Sequence, residues 1–152
     1  MELILWRHAD AENSEPDLER VLTARGRHQA QQVADWLNVR LPPNTRILCS
    51  PAVRAQQTLE PLQRDFDVLD SLGTGAEPAA VLQAAGWPAR HGTVLVVGHQ
   101  PTLGRLASLL LCGRAQGLDV RRGACWWFEQ SDPHDSDTLA LKAVVTPELV
   151  LK

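Results

Sequence analysis

Four residues have the types and spacing for phosphoryl chemistry. Arg7 and His8 follow directly on the apolar run at residues 3–6, and His99 follows the run at 94–97 through Gly98. Unbroken apolar runs of this length read as strands buried on both faces. Groups that follow such strands gather outside the carboxyl ends of a sheet. The two histidines are therefore expected in one crevice, with Arg7 as a fixed cation beside them. Arg54 adds a second cation, in the first turn of a helix predicted to open at Ser50-Pro51, where free backbone donors and the dipole already favour an anion. A phosphoryl group needs cationic or hydrogen-bonding partners on its equatorial oxygens and a nucleophile in line with its leaving group. Two arginines and two histidines meet that need without a metal or other cofactor. Alone, His8 reads as a core histidine and Arg54 as a solvated helix-start cation; together they point to an oxyanion site.

The elements that must position them alternate between strand and helix. After the first strand, the polar stretch NSEPDLERV reads as a loop leading to Thr23, a predicted N-cap. Ala30, Val33, Ala34, Leu37 and Leu41 then recur at helical spacing until Pro42-Pro43. A strand is predicted at 46–49. Ser50 as N-cap and Pro51 at the first helical position open a helix with Ala55, Leu59, Leu62 and Phe66 on its apolar stripe. A short strand near 67–69, a loop through Gly75 and a short helix at 79–85 precede the strand at 94–97. Pro101 starts a helix with Leu103, Leu106, Ala107 and Leu110 on its core face, and Gly113 is its stop. Runs at 124–129 and 139–145 read as closing strands around the polar turn SDPHDSD. The pattern predicts a three-layer α/β/α fold with a mostly parallel sheet.

The 152 residues, with net charge −3, amount to one domain over 1–152, large enough to bury roughly 70% of its unfolded surface. Cys49, Cys112 and Cys125 are an odd set without close pairing, read as small core residues in a reducing compartment. No basic stripe or aromatic-basic interleaving fits nucleic acid. No secretory leader pattern and no apolar run near the roughly 18 residues of a membrane span is present, so a monomeric cytoplasmic protein with no membrane partner is expected. Trp126-Trp127-Phe128 reads as strand packing rather than a ligand cage.

The RH pair, SPAVRAQQT at 50–58 and VGHQPTLG at 97–104 together resemble the signature of the histidine phosphatase superfamily, with its phosphoglycerate mutase-like fold. The resemblance implies that His8 is the nucleophile that becomes phosphorylated, with Arg7, Arg54 and His99 forming the phosphate pocket. ERVLTARGRHQAQQVADWL is similar to the RPLTxxGxxxA segment of SixA-type phosphohistidine phosphatases, with Val21 where proline is usual. That likeness makes Arg20 a substrate or phosphate contact. Ala9 stands where the wider superfamily has glycine. Larger relatives place an acidic residue between the second and third motifs, which makes Glu77 the candidate general acid; Asp10 and Glu12 are alternative helpers or plain loop charges. Only 39 residues separate Thr58 from Gly98, too few for a capping subdomain.

The resemblance thus implies a metal-independent phosphohistidine phosphatase in signal transduction, acting through phospho-His8 on a phosphohistidine-bearing protein such as a histidine phosphotransfer domain. An open site and a weak general acid agree with it, because imidazole leaves phosphorus more readily than an alkoxide. A small-molecule phosphomonoesterase of the same superfamily is the alternative. A metal-dependent hydrolase using His8, Asp10, Glu12 and His99 would crowd a metal against arginines. A phosphohistidine-binding module without turnover is the remaining rival.

Overall fold

The computed structural model describes residues 1–150; the last two residues of the expected 1–152 unit lie outside the described residues. Six strands form one sheet: β1 (Glu2–Arg7), β2 (Arg46–Cys49), β3 (Asp67–Val68), β4 (Thr93–Gly98), β5 (Cys125–Gln130) and β6 (Leu139–Val145). Their order is β3-β2-β4-β1-β5-β6. The predicted runs are the middle of the sheet: Leu3 to Trp6 of β1 are fully buried, and every residue of β4 is buried.

Alternation along β1 explains the layers. Ile4 and Trp6 pack with Val33, Leu37 and Leu59, whereas Leu3 and Leu5 pack with Val81, Leu103 and Leu106. One face is therefore covered by α1 (Ala24–Asn38) and α2 (Val53–Leu59), the other by α3 (Pro78–Ala85) and α4 (Thr102–Cys112). Successive strand side chains point to opposite faces, so an all-apolar strand demands helices on both. This is the expected α/β/α sandwich. Residues 60–92 hold only short turns, β3 and α3 between α2 and β4, with no capping subdomain among the described residues.

β1 is the pivot of the topology. It runs parallel to β4, with Arg7 opposite Gly98, and antiparallel to β5. The sheet is parallel through β3, β2, β4 and β1, and antiparallel at β5 and β6. Thr23 caps α1 as expected, its hydroxyl accepting from the Gly26 amide at 2.9 Å. Gly26 is required for a steric reason: a Cβ there would run into the Asp10 carbonyl oxygen. Gly113 ends α4 in the left-handed region at φ 75°.

Three local expectations need correction. Helix α2 starts at Val53 with Ala52 in the capping position, so Ser50 is not its N-cap and Pro51 is not its first residue. The Ser50 hydroxyl instead accepts from the Ala52 amide at 3.2 Å, folding the chain into a turn ahead of the helix. Cys112 is exposed, because it lies on the solvent side of the last turn of α4; Cys49 and Cys125 are buried. The polar loop after β1 contains a short 3-10 turn, Asp17–Glu19.

Candidate active site

The β1–β4 register brings the two histidines together. The His8 amide donates to the Gly98 carbonyl at 3.2 Å, and the His8 and His99 rings lie 5.2 Å apart between centroids. Both are buried. Thr58 ties α2 to this strand end: its hydroxyl accepts from the Ala9 amide at 3.0 Å and donates to the Arg54 carbonyl at 2.7 Å. That link carries Arg54, itself only 3% exposed, into the crevice. Its Nε donates to His8 Nε2 at 3.3 Å, and its Nη2 lies 3.4 Å from His99 Nδ1.

These contacts fix the histidine tautomers. A guanidinium only donates, so His8 Nε2 and His99 Nδ1 must be acceptors here. The proton of His8 then sits on Nδ1, which lies 2.8 Å from the Ala9 carbonyl oxygen. The proton of His99 sits on Nε2 and faces the Ser50 hydroxyl at 2.7 Å. His8 therefore presents an unprotonated Nε2 to the crevice, the form a nitrogen nucleophile needs.

Burial keeps both rings neutral. Desolvation pushes the His8 pKa down to about 3; the Ala9 hydrogen bond opposes this, while His99, Arg54 and Arg7 add to it. Desolvation likewise takes His99 down to about 4, with Arg54 assisting and Asp17 opposing. Arg7 is lowered from its ordinary value by desolvation and by Arg122, against Asp119. Its Nη1 donates to the Val120 carbonyl at 3.0 Å, and its Nε is buried with no partner among the described residues. A buried guanidinium nitrogen without an acceptor is costly, and a phosphoryl oxygen would satisfy it.

Asp17 escaped the sequence reading altogether. Its carbonyl accepts from Arg54 Nη1 at 2.8 Å and its carboxylate from Arg54 Nη2 at 3.2 Å. Desolvation raises its pKa, but the hydrogen bond from Arg20 and the charge of Arg54 outweigh it and hold the carboxyl below its ordinary value. Arg20 is anchored by Asp17 at 3.2 Å and by the Glu12 carbonyl at 2.7 Å. The structure thus brings Arg20 alongside Arg54 through a shared carboxylate.

None of the candidate acids has a side-chain hydrogen bond to either histidine ring among the described residues. Glu77 is exposed just ahead of α3, and its side chain makes no hydrogen bond or ion pair among the described residues. Its neighbour Ala76 is tied to the start of α4 by the Thr102 hydroxyl at 2.5 Å. Asp10 is engaged by Thr23 at 2.7 Å and Arg122 at 3.1 Å, which fixes the start of α1. Glu12 is exposed and reaches the site only through its backbone carbonyl.

Within SPAVRAQQT, Ser50 is predicted only to cap a helix and Thr58 has no predicted role, yet both hold the site together. Ser50 two residues ahead of the helix, and Thr58 at i+4 from Arg54, are the signals that could have found them: short hydroxyls beside a turn or helix bond to nearby backbone groups. Asp17 gave no such signal, because its contact crosses from a polar loop to a different element.

Known proteins carry the same framework. The chain belongs to the histidine phosphatase superfamily (branch 1), whose family model matches residues 3–72. Within it the chain is of the SixA type. The phosphohistidine phosphatase SixA of Escherichia coli strain K12 is 34% identical over 125 residues, covering 74% of this chain and 76% of that protein. A solved structure of the protein histidine phosphatase SixA complexed with tungstate superposes with a TM-score of 0.80 at 26% identity, over 99% of this chain and 100% of that one. An uncharacterized protein of Mycobacterium tuberculosis strain H37Rv is 37% identical over 99 residues, 62% of this chain, and the match spans only 61% of that relative's length.

Proposed function

We propose that the protein is a phosphatase that removes phosphate from protein phosphohistidine through a phospho-His8 intermediate, without a metal. The observation that carries this reading is His8 Nε2, an unprotonated ring nitrogen held 3.3 Å from Arg54 Nε with Arg7 and His99 beside it. In the first step Nε2 bonds to phosphorus as the substrate's phosphorus–nitrogen bond breaks, and the departing imidazole takes up a proton from solvent. Arg7, Arg54 and His99 hold the three equatorial oxygens and neutralise their charge. His8 Nδ1–H, aimed at the Ala9 carbonyl, stabilises the positive charge that the phosphorylated ring acquires. Water then attacks phosphorus, the bond to Nε2 breaks, and phosphate leaves as the water loses a proton to solvent.

His99 binds best as a cation. A phosphoryl dianion nearby favours its charged form and so opposes the desolvation that keeps it neutral in the free protein. Arg20 is read as an outer phosphate or substrate contact, brought within range by Asp17.

Three features support a protein substrate over a small ester: the relationship to SixA, whose name states phosphohistidine as its substrate, the uncapped crevice, and the solvated position of Glu77. An open site desolvates a small ester poorly, and without a carboxyl group hydrogen-bonded in the crevice to hand over a proton an alkoxide leaves less readily than an imidazole. A histidine phosphotransfer domain is the kind of partner this implies.

The test combines trapping with a substrate panel. Brief reaction with a labelled phosphohistidine protein and an acid-free quench should leave label on His8, and His8→Ala should lose both label and turnover. Phosphohistidine and aryl phosphates should react, while phosphoserine and sugar phosphates lag by about 10²-fold, a typical worth of proton transfer. Equal turnover of a sugar phosphate, with Glu77→Gln crippling only that activity, would replace this reading by a small-molecule phosphomonoesterase. Turnover without label on any histidine would reject the covalent step.

A further inference from the structure

A cleft of about 470 Å³ opens beside Arg7, and His8, Arg54 and His99 are not among its lining residues. Its walls come from the end of β1, the first turn of α1, the loop at 119–122 and the turn Pro147–Leu149. Arg25, Arg121 and Arg122 join Arg7 on them. The chain as a whole is acidic, with net charge −3, whereas the cleft sets four guanidiniums against the three carboxylates of Asp10, Asp119 and Glu148, a local excess of one positive charge.

Arg25 and Arg121 are exposed, and their guanidiniums make no hydrogen bond or ion pair among the described residues. Arg122 has one carboxylate partner, Asp10 at 3.1 Å, which Thr23 also engages. Asp119 and Glu148 share the walls but pair with neither free arginine. Arg25 also stands in the first turn of α1, where no acidic residue is present. A cation beside a helix's positive end is unfavourable unless an anion joins it.

We propose that this cleft is a second anion subsite, reading acidic side chains that flank the phosphohistidine of a protein substrate, with Arg25 and Arg121 as its specificity-determining residues. The inference rests on the phosphohistidine reading for its substrate but not for its charge chemistry. Arg7 joins the two sites: one guanidinium faces the phosphate crevice and lines the cleft, so a phosphohistidine in the first places its neighbours along the second. The cleft is open and polar, which suits an extended acidic segment with its backbone still in water.

The test uses three fluorescein-labelled peptides around one unphosphorylated histidine, flanked by glutamates, glutamines or lysines. Fluorescence anisotropy at low salt should show the glutamate peptide binding about 10-fold tighter than the glutamine peptide, the product of two exposed ion pairs worth about 3-fold each. Arg25→Gln/Arg121→Gln should erase that preference while leaving the circular dichroism spectrum and p-nitrophenyl phosphate turnover unchanged. Equal binding of the glutamate and glutamine peptides, or a preference that survives in the double variant, would overturn the subsite. The two readings fail separately. Arginine-dependent binding without hydrolysis of any phosphohistidine peptide would remove the substrate assignment and keep the cleft; hydrolysis at the same kcat/KM whatever the flank would remove the cleft and keep the substrate.

Discussion

Acid should destabilise this protein through its two central histidines before its carboxylates matter. His8 and His99 have folded-state values of about 3 and about 4, below the ordinary 6.5. A depressed folded value contributes stability that is present above the unfolded pKa and lost as pH falls toward the folded one. Between about pH 6.5 and pH 4 the unfolded chain binds protons that the native site refuses, so stability must rise with pH across that window. Each pH unit below the unfolded value costs up to ~1.4 kcal/mol per histidine. Going from about pH 7 to about pH 5 thus costs about 2 kcal/mol for each ring and about 4 kcal/mol for both, a large part of a typical 5–15 kcal/mol stability. Asp17 and Glu2, whose carboxyls are held below their ordinary values, contribute their loss mainly below this window. Urea unfolding followed by tryptophan fluorescence at the two pH values measures the difference. His8→Gln/His99→Gln should flatten it to under about 1 kcal/mol. A wild-type loss below that, or an equal loss in the double variant, would refute the argument that burial keeps these rings neutral.

Arg54→Ala should lower kcat/KM by about 10²-fold or more, the usual worth of one transition-state oxyanion donor, and EDTA should not change wild-type turnover; loss with EDTA restored by a divalent ion would favour metal-assisted hydrolysis. Asp17→Asn should tighten competitive inhibition by tungstate by about 5-fold, because the carboxylate on Arg54 Nη2 competes with the oxyanion at the strength of an exposed ion pair; weaker inhibition would mean that Asp17 chiefly holds Arg54 in place. Gly26→Ala should cost about 1–3 kcal/mol in urea unfolding by forcing α1 off the Asp10 carbonyl, and an unchanged midpoint would contradict the close approach.

β1 and β4 were legible because their burial on both faces leaves apolar runs; β6, an edge strand with most of its residues exposed, also lies at residues 139–145 as its pattern predicts. The parallel core and the crevice at its carboxyl ends followed from β1 and β4 alone. The start of α2 was misread because a serine-proline pair serves a turn as readily as a cap, and here Ser50 also faces His99. Cys112 was misplaced because an apolar neighbourhood in sequence does not fix which side of a helix a residue takes. Arg7, His8, Arg54 and His99 could be chosen from residue type and strand position. Asp17, the tautomers and the cleft beside Arg7 could not, since each depends on contacts between segments far apart in the chain.

The reversal of direction at β5 has an evolutionary consequence. A parallel strand begins at the end of the sheet remote from the crevice, whereas β5 begins beside it. The approach to β5 is stitched there by backbone: the Gly123 amide meets the carbonyls of Arg7 and His8 at 3.1 Å, and the Trp6 indole donates to the Gly123 carbonyl at 3.0 Å. Because those stitches end on the Gly123 main chain, the side chain at 121, which has no hydrogen bond or ion pair among the described residues, can change without breaking them, whereas Arg122 holds Asp10. If the cleft reads its partner as proposed, that choice can change at position 121 while the backbone frame of the reaction centre stays fixed.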